Sequence, residues 1–207
     1  IIKTPALDYS ADEIDRLEKY VKSGGGLLLI GDHTNLFGHT QRLNAVAAPY
    51  GIEFRSDATF PWDTAPPYVH QPSRYTGGDF LLKGIGPFAV LTAASVVDRS
   101  FWGNPFVRTT GLVSEGADYS NMNYFGPLRL SQEDRVGPLA LAMAKPYGRG
   151  KVVAWGDSTM WSSFSMFHPE YPDLILRLVG YAGAPSTHAL GQAFSLVAWA
   201  GLMGMLW

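Results

Sequence analysis

Two polar turns in the sequence carry side chains that could do chemistry. Histidine can act as a base or a metal ligand, a carboxylate can orient it or bind a metal, and a serine hydroxyl can act as a nucleophile. The candidate catalytic residues are Asp32, His33, Asp157 and Ser158. The candidate ligand-binding residues are Asp32, His33, Thr34, Asn35, Asp157, Ser158 and Trp161.

Both turns follow short apolar runs that are typical of buried strands, at residues 27–30 and 151–155. In an open α/β sheet, ligands bind beyond the carboxyl ends of the strands. If these two strands are parallel neighbours, the turns share one crevice and their side chains converge there. The alternative is structural, because Asp, Ser, Thr and Asn are also the residues that most often cap the helix after a strand. The sequence leaves both interpretations open.

Three histidines, His33, His39 and His168, are candidate metal ligands, although their spacing does not match the i, i+4 pair of a helical zinc site. The chain has no cysteine, which excludes thiol nucleophiles, thiolate zinc sites and iron–sulfur clusters. The Gly-Asp-Ser run at 156–158 lacks the second glycine of the Gly-x-Ser-x-Gly elbow. The glycine pairs at 84–86 and 148–150 lack the third glycine of a dinucleotide loop. We therefore expect neither a serine-hydrolase elbow nor a cofactor.

The chain is 207 residues long, with 16% charged residues and a formal net charge of −2. The sequence has no excess of positive charge that would attract the phosphate backbone of a nucleic acid, so nucleic acid is not an expected partner. Several aromatic residues lie beside amides and carboxylates in irregular segments. That setting suits a sugar or another polar ligand with an apolar face, or else a small core beneath long loops. These residues are Trp62, Tyr68, Tyr75, Trp102, Tyr119, Tyr124, Trp161 and Phe164.

The pattern around the two polar turns predicts alternating strands and helices. Ser10 and Glu13 have the spacing of a capping box, and apolar residues recur at helical spacing until the glycines at 24–26. Strands at 1–2 and 27–30 would flank this helix as a βαβ unit. A helix at 40–50 and a strand at 52–54 would extend it to βαβαβ with right-handed connections. Further strands are predicted at 88–97, 106–113, 137–144 and 151–155, and a further helix at 171–181.

The C-terminal segment differs from the rest, since no Asp, Glu, Lys or Arg follows Arg177. Residues 189–207 are mostly apolar or small, and as a helix they would be roughly 28 Å long, close to the ~30 Å hydrocarbon core of a bilayer. We predict a transmembrane helix or a peripheral membrane anchor here, with a buried core helix as the alternative, so the membrane is an expected partner through residues 189–207. Because the chain begins without methionine, we also expect it to be a fragment of a longer protein or a processed product.

Three sequence blocks resemble a known superfamily. They are residues 1–5, IIKTP; residues 20–29, YVKSGGGLLL; and residues 147–158, YGRGKVVAWGDS. Together they resemble the class I glutamine amidotransferase-like superfamily, and more narrowly its membrane-linked branch of uncharacterised bacterial proteins, which includes auxiliary parts of gliding-type ABC transporters. The resemblance covers residues 1–182. It implies an α/β, flavodoxin-like three-layer sandwich with a mainly parallel sheet. We accordingly expect an amidotransferase-like domain at 1–183 and an apolar tail at 184–207.

Amidotransferases of this superfamily use a cysteine nucleophile, which this chain lacks, so the resemblance does not extend to glutamine hydrolysis. We expect a noncatalytic ligand-binding or scaffolding domain, tethered to a membrane or a membrane assembly and with its folded part extracytoplasmic. Protein partners in such an assembly and a polar or sugar-like ligand are the expected partners. The alternative is a hydrolase, metal-assisted or not, that uses a crevice formed by Asp32, His33 and Asp157.

Overall fold

The chain begins with a βαβ unit in which the local sequence signals and the structure agree. The computed structural model describes residues 1–61, 75–76, 79–86, 88–100, 103–116, 132, 134–169 and 171–185. Strand β1 (Ile2–Lys3) leads into helix α1 (Ala11–Lys22), and strand β2 (Gly26–Ile30) then pairs in parallel with β1. The Ser10 hydroxyl accepts the Glu13 amide at 3.3 Å, and the Glu13 carboxylate accepts the Ser10 amide at 2.8 Å. The predicted capping box and βαβ unit are confirmed.

The strands at 57–61 and 75–76 and the helix at 79–82 were not predicted, and the other later elements match the predicted segments except between residues 88 and 97. There a strand covers only the last part of the predicted run, and the residues before it pack as irregular chain. The predicted helices at 40–50 and 171–181 and the predicted strands at 106–113, 137–144 and 151–155 are present. The elements are α2 (His39–Ala47), β3 (Ile52–Phe54), β4 (Asp57–Pro61), β5 (Tyr75–Thr76), α3 (Asp79–Leu82), β6 (Val96–Asp98), β7 (Asn104–Gly116), β8 (Arg135–Tyr147), β9 (Gly150–Trp155) and α4 (Tyr171–Gly183).

The main sheet is mixed, with the strand order β1-β2-β9-β8-β7-β4 and with β5 also paired to β7. Among the described strands, β1, β2 and β9 are mutually parallel, while β8, β7, β4 and β5 join through antiparallel pairings. The prediction of a flavodoxin-like, mainly parallel sheet is therefore wrong. A local cause is the two-residue turn between β8 and β9, where Gly148 adopts a φ of +58°. Such a tight turn joins only antiparallel neighbours.

Strand β3 also departs from the prediction. Instead of joining the parallel part of the sheet after α2, it pairs with β6 in a separate two-stranded antiparallel ribbon, in which Ile52 lies opposite Asp98. The side chain of Asn44 on α2 fixes this position, because its amide donates to the Phe54 carbonyl and its oxygen accepts the Phe54 amide, both at 2.8 Å. The predicted βαβαβ run therefore stops after its first unit.

The core lies on both faces of the parallel part of the sheet. In β2, Leu28 and Ile30 pack in one apolar cluster with Leu174 and Leu178 of α4. The alternate residues of β2 and β9 pack in a second cluster with helices α1 and α2 and with the β3–β6 ribbon. Successive side chains of a strand point to opposite faces, so an unbroken apolar run requires a cover on each side. Packing on both faces holds β2 and β9 in place, and with them the strand ends that lead into the two polar turns.

The prediction of a membrane helix has no counterpart in the described structure. None of the helices within the described residues is long and apolar enough to cross a bilayer. The segment for which the helix was predicted, 189–207, lies outside those residues.

Candidate functional site

The two polar turns leave the sheet side by side. Strands β2 and β9 are parallel neighbours with Ile30 opposite Trp155, and the Gly31 amide continues the ladder by donating to the Trp155 carbonyl at 2.8 Å. Beyond these strand ends, the Ser158 hydroxyl donates to the Asp32 carboxylate at 2.6 Å. The structure therefore brings the two turns together at one edge of the sheet, where both strands have their carboxyl ends.

The carboxylate of Asp32 is buried and uses both of its oxygens within the protein. One oxygen accepts the backbone amide of His33 at 2.8 Å, and the other accepts the Ser158 hydroxyl. The backbone carbonyl of Asp32 accepts the Thr40 hydroxyl at 3.3 Å. Asp32 thereby starts the 3₁₀ turn that follows β2 and ties it to the turn that follows β9. These are the contacts of a capping residue.

The carboxylate of Asp157 is more deeply buried, with 1% of the residue exposed. One of its oxygens accepts the Thr159 amide at 2.7 Å, and the other accepts the Leu91 amide at 3.0 Å. Burial raises the pKa of Asp157 to about 7, and the nearby negative charge of Asp32 contributes in the same direction. Asp157 thus fastens the chain around Leu91 to the end of β9.

His33 and Ser158 do not form a base–nucleophile pair. The Ser158 hydroxyl directs its proton to Asp32, while His33 Nδ1 lies 2.8 Å from the Thr34 hydroxyl. The other ring nitrogen of His33 is 3.6 Å from the Asp32 carboxylate, beyond hydrogen-bonding distance. The Ser158 hydroxyl is thus bound to a buried carboxylate, and the hydrogen bond between serine and histidine that activates the nucleophile of a serine hydrolase is not among the described contacts.

The turn after β2 has an unusual backbone. Thr34, Asn35 and Phe37 all adopt left-handed conformations, with φ values of 52°, 50° and 50°. Each such residue costs roughly 1–2 kcal/mol relative to the right-handed form, so the turn persists because its surroundings hold it. The Asn35 side chain accepts the Gln41 amide at 3.2 Å, and the Phe37 carbonyl accepts Arg42 at 2.8 Å. The result is a fixed loop whose tip, Phe37, is 63% exposed.

The three candidate metal ligands are not assembled into a site. Burial lowers the pKa of His39, whose ring lies edge-on to Phe37 at 5.8 Å between centroids. His168 is exposed on the segment before α4, with its ring 5.7 Å from that of Tyr171. Within the described ranges, no three His, Asp or Glu side chains stand close enough together to hold a metal ion. The described residues therefore give no support to the predicted metal ligands.

Trp161 does not form an open stacking platform. Its side chain is partly buried against the cluster that contains α4, and its carbonyl accepts the Lys3 ammonium at 3.0 Å. That bond connects the carboxyl end of β1 to the loop after β9. A salt bridge of 3.2 Å between Asp8 and Arg42 likewise connects the loop after β1 to the start of α2. The loops that follow the three parallel strands are therefore joined to one another.

These joined loops carry exposed apolar side chains, which we call the strand-end rim: Leu7, Phe37, Phe164 and Phe167. Their exposed fractions are 81%, 63%, 80% and 76%. The loop that bears the last two is held by backbone bonds, from Met166 to the Ser162 carbonyl and from His168 to the Ser165 carbonyl, both at 2.9 Å. The hydroxyls of Ser162 and Ser165 both donate to the Thr159 carbonyl. The rim is therefore presented on an internally bonded backbone.

Sequence reasoning missed the groups that complete this edge and two further buried polar clusters. The bond from the Leu91 amide to Asp157 leaves no signature in the sequence, because any residue except proline supplies a backbone amide. Lys145 could have been noticed, since it interrupts the apolar strand β8. It is buried and donates to Asp98 at 3.0 Å. The other cluster joins Asp57 to Arg135, which are 78 positions apart in sequence and 3.0 Å apart in space.

No family model and no curated protein matches the chain. Among solved structures it is similar to the mmIFT52 N-terminal domain, with a TM-score of 0.54 and 14% identity over 84% of this chain and 74% of that one. It also aligns with cytoplasmic protein STM3548 from Salmonella typhimurium, with a TM-score of 0.44 and 17% identity over 86% of this chain and 63% of that one. A third match is the exo-beta-1,4-mannosidase Op5Man5 from Opitutaceae bacterium strain TAV5, with a TM-score of 0.37 and 16% identity over 87% of this chain and 24% of that one. Only the first match has a TM-score above 0.5, and at 14% identity it indicates a similar fold and nothing about function. The amidotransferase-like resemblance stays a prediction.

Proposed function

We propose that this chain is a noncatalytic binding domain that docks a protein partner on the strand-end rim. One observation carries the proposal. At the edge where an α/β sheet usually holds its ligand, the buried carboxylates make hydrogen bonds within the protein, while the apolar side chains of the neighbouring loops face solvent. These contacts support a structural role for the two carboxylates, and the four exposed apolar side chains support a binding role for the rim.

The internal hydrogen bonds weigh against catalysis. A general base or a metal ligand needs a lone pair directed at the substrate or the ion. Asp157 instead accepts two backbone amides, and Asp32 accepts one backbone amide and one hydroxyl. Asp32 and Asp157 are also only 5% and 1% exposed, so their carboxylates are not accessible to the hydroxyl groups of a sugar. A hydrolase and a sugar-binding site both have less support than a protein-docking surface.

The exposed phenylalanines favour a protein partner. Large apolar side chains that share one surface of a folded protein often mark an interaction site. Aromatic residues also dominate the energetically important centres of protein interfaces. Because hydrogen bonds within the loops already order the backbone around Phe37 and Phe164, docking there loses less conformational entropy than docking on a mobile loop.

The first arm of the test asks whether the domain is catalytic. Purified chain is incubated with chromogenic esters, phosphate monoesters and glycosides, in parallel with the Asp32→Asn and Asp157→Asn variants. We expect no saturable turnover above that of buffer for any of the three proteins. Saturable turnover that Asp157→Asn abolishes, in a variant that remains folded by circular dichroism, would restore the hydrolase alternative.

The second arm asks whether the rim binds. A peptide-display library is selected on the wild-type chain, and the Kd of the best peptides is measured for Phe164→Ser/Phe167→Ser and for Leu176→Ser. Leu176 is a matched control because it is 70% exposed but lies on α4. We expect the rim variant to weaken binding at least 10-fold and the control to leave it within 2-fold. Equal losses in both variants, or peptides that bind without the phenylalanines, would remove the rim from the proposal.

A further inference from the structure

A cavity of about 400 Å³ lies between the β3–β6 ribbon and the antiparallel strands β7 and β8. It shares no lining residue with the strand-end rim. Most of its wall is apolar, with Val96 and Met143 buried at its inner side and Pro138 and Ala140 contributed by β8. A volume of this size falls within the range of small-molecule sites, which are typically lined by apolar groups with a few polar groups that fix the ligand.

The polar part of the lining is dominated by two arginines. Arg135 is held in place by bonds to the Asp57 carboxylate at 3.0 Å and to the Ser95 hydroxyl at 3.2 Å. Asp57 is itself fixed, because it is buried and accepts the amide and hydroxyl of Ser95 at 2.8 and 2.6 Å. The guanidinium of Arg135 is therefore oriented before any ligand arrives, which reduces the entropy lost on binding.

Arg108 reaches the cavity through an irregularity in the sheet. It lies opposite Ala140, and the pairing between β7 and β8 shifts register on both sides of Val107. Such bulges redirect a side chain and are common beside functional sites. The cavity lining thus contains two guanidinium groups and one carboxylate, that of Asp98, which is bound to Lys145 at 3.0 Å.

We propose that this cavity binds a small organic carboxylate with an apolar body, and that Arg108 is the residue that recognises its charge. A guanidinium presents two parallel N–H donors that match the two oxygens of a carboxylate. The apolar wall formed by Val96, Met143 and Ala140 accommodates the hydrocarbon part of the same molecule. This binding site is separate from the protein-docking surface and does not depend on it.

The test uses sodium octanoate as the probe and octanamide as its uncharged analogue, with binding followed by isothermal titration calorimetry. Octanoate should bind the wild-type chain saturably, and octanamide should bind at least 10-fold more weakly because it lacks the charge that a guanidinium recognises. Arg108→Gln should weaken octanoate binding at least 10-fold. Arg16→Gln is the matched control, since Arg16 is 70% exposed on α1, and it should leave the Kd unchanged.

Two further variants locate the site. Ala140→Leu should weaken octanoate binding at least 10-fold by occupying part of the apolar wall, whereas Phe164→Ser on the rim should have no effect. The proposal is overturned if octanoate shows no saturable binding up to 10 mM, or if octanamide binds equally well. It is also overturned if Arg108→Gln behaves like Arg16→Gln, or if Phe164→Ser is the variant that loses binding. Because Arg108 is exposed, Arg108→Gln is expected to fold, and its thermal unfolding serves as the check.

Discussion

Replacing Asp157 with asparagine should make the stability of the protein less dependent on pH. The carboxyl group is buried and sits beside Asp32, and its pKa is raised to about 7 from a usual value of 3.8. The folded protein therefore holds this proton more tightly than the unfolded chain does. The contribution of Asp157 to stability is complete below pH 3.8 and is lost as the pH rises through about 7.

The size of this loss follows from the two pKa values. The pKa of Asp157 is about 7 in the folded protein and 3.8 in the unfolded chain. Between pH 5 and pH 8 the free energy of unfolding of the wild-type protein should therefore fall by roughly 2–3 kcal/mol, and Asp157→Asn should not show this fall. Asparagine also places an NH₂ group opposite either the Leu91 or the Thr159 amide, which are both donors. That mismatch costs roughly 1–3 kcal/mol at every pH. The variant should thus be the less stable protein at pH 5 and should recover relative to the wild type as the pH rises.

The assay is urea unfolding followed by circular dichroism at four pH values from 5 to 8. The quantity of interest is the difference in free energy of unfolding between variant and wild type. Contributions from groups that titrate alike in both proteins cancel in this difference. Asp15→Asn is the control, because Asp15 forms an ion pair with Lys19 on the exposed face of α1, and its difference should stay within about 0.5 kcal/mol. A difference for Asp157→Asn that does not change with pH would show that Asp157 does not titrate between pH 5 and pH 8 and would refute the reasoning.

Two further substitutions test how the fold is held together. Lys145→Met should destabilise the protein by about 3–5 kcal/mol, because it leaves the part-buried Asp98 carboxylate without its cation, whereas Lys19→Met on the surface should change stability by less than about 1 kcal/mol. A loss below about 1 kcal/mol for Lys145→Met would contradict this assignment. Ser10→Ala should lower the free energy of unfolding by about 1 kcal/mol because it removes the α1 cap, whereas Ser10→Thr should keep most of the stability that the cap provides. Equal losses for the two variants in chemical denaturation would count against the capping box.

The sequence predicted those features that depend on neighbouring residues. The capping box of α1, the strands on either side of it and the helix after β9 are all set by local pattern, and all are present. The adjacency of the two turns was predicted only on the condition that β2 and β9 are parallel neighbours, and the structure shows that they are. Local pattern does not specify which strands pair, so it could not predict that β3 leaves the main sheet to pair with β6.

The role of the two acidic residues could not be predicted for the same reason. Whether an aspartate at a strand end faces a ligand or a backbone amide depends on which distant segment lies against it. For Asp157 that segment is the chain at Leu91, which is 66 positions away in the sequence. No periodicity or spacing in the sequence indicates that contact. The two turns lie side by side as expected, but the partners that determine the chemistry of their side chains come from tertiary packing.

The change of strand direction at β9 connects these findings. On one side β9 has a parallel neighbour, so its carboxyl end lies beside that of β2. On the other side it pairs with antiparallel β8, in which the residues before Ala142 continue beyond the end of β9 and pair with β7 alone. This extension and the chain at Ala94 cover the end of β9, where the Gly156 amide donates to Leu141 and the Gly156 carbonyl accepts Ala94, both at 2.9 Å. Asp157 is buried because it follows directly beneath this cover. The same extension supplies Arg135 and Ala140 to the cavity, and its partner strand β7 supplies Arg108, so the antiparallel half of the sheet both buries Asp157 and forms the cavity.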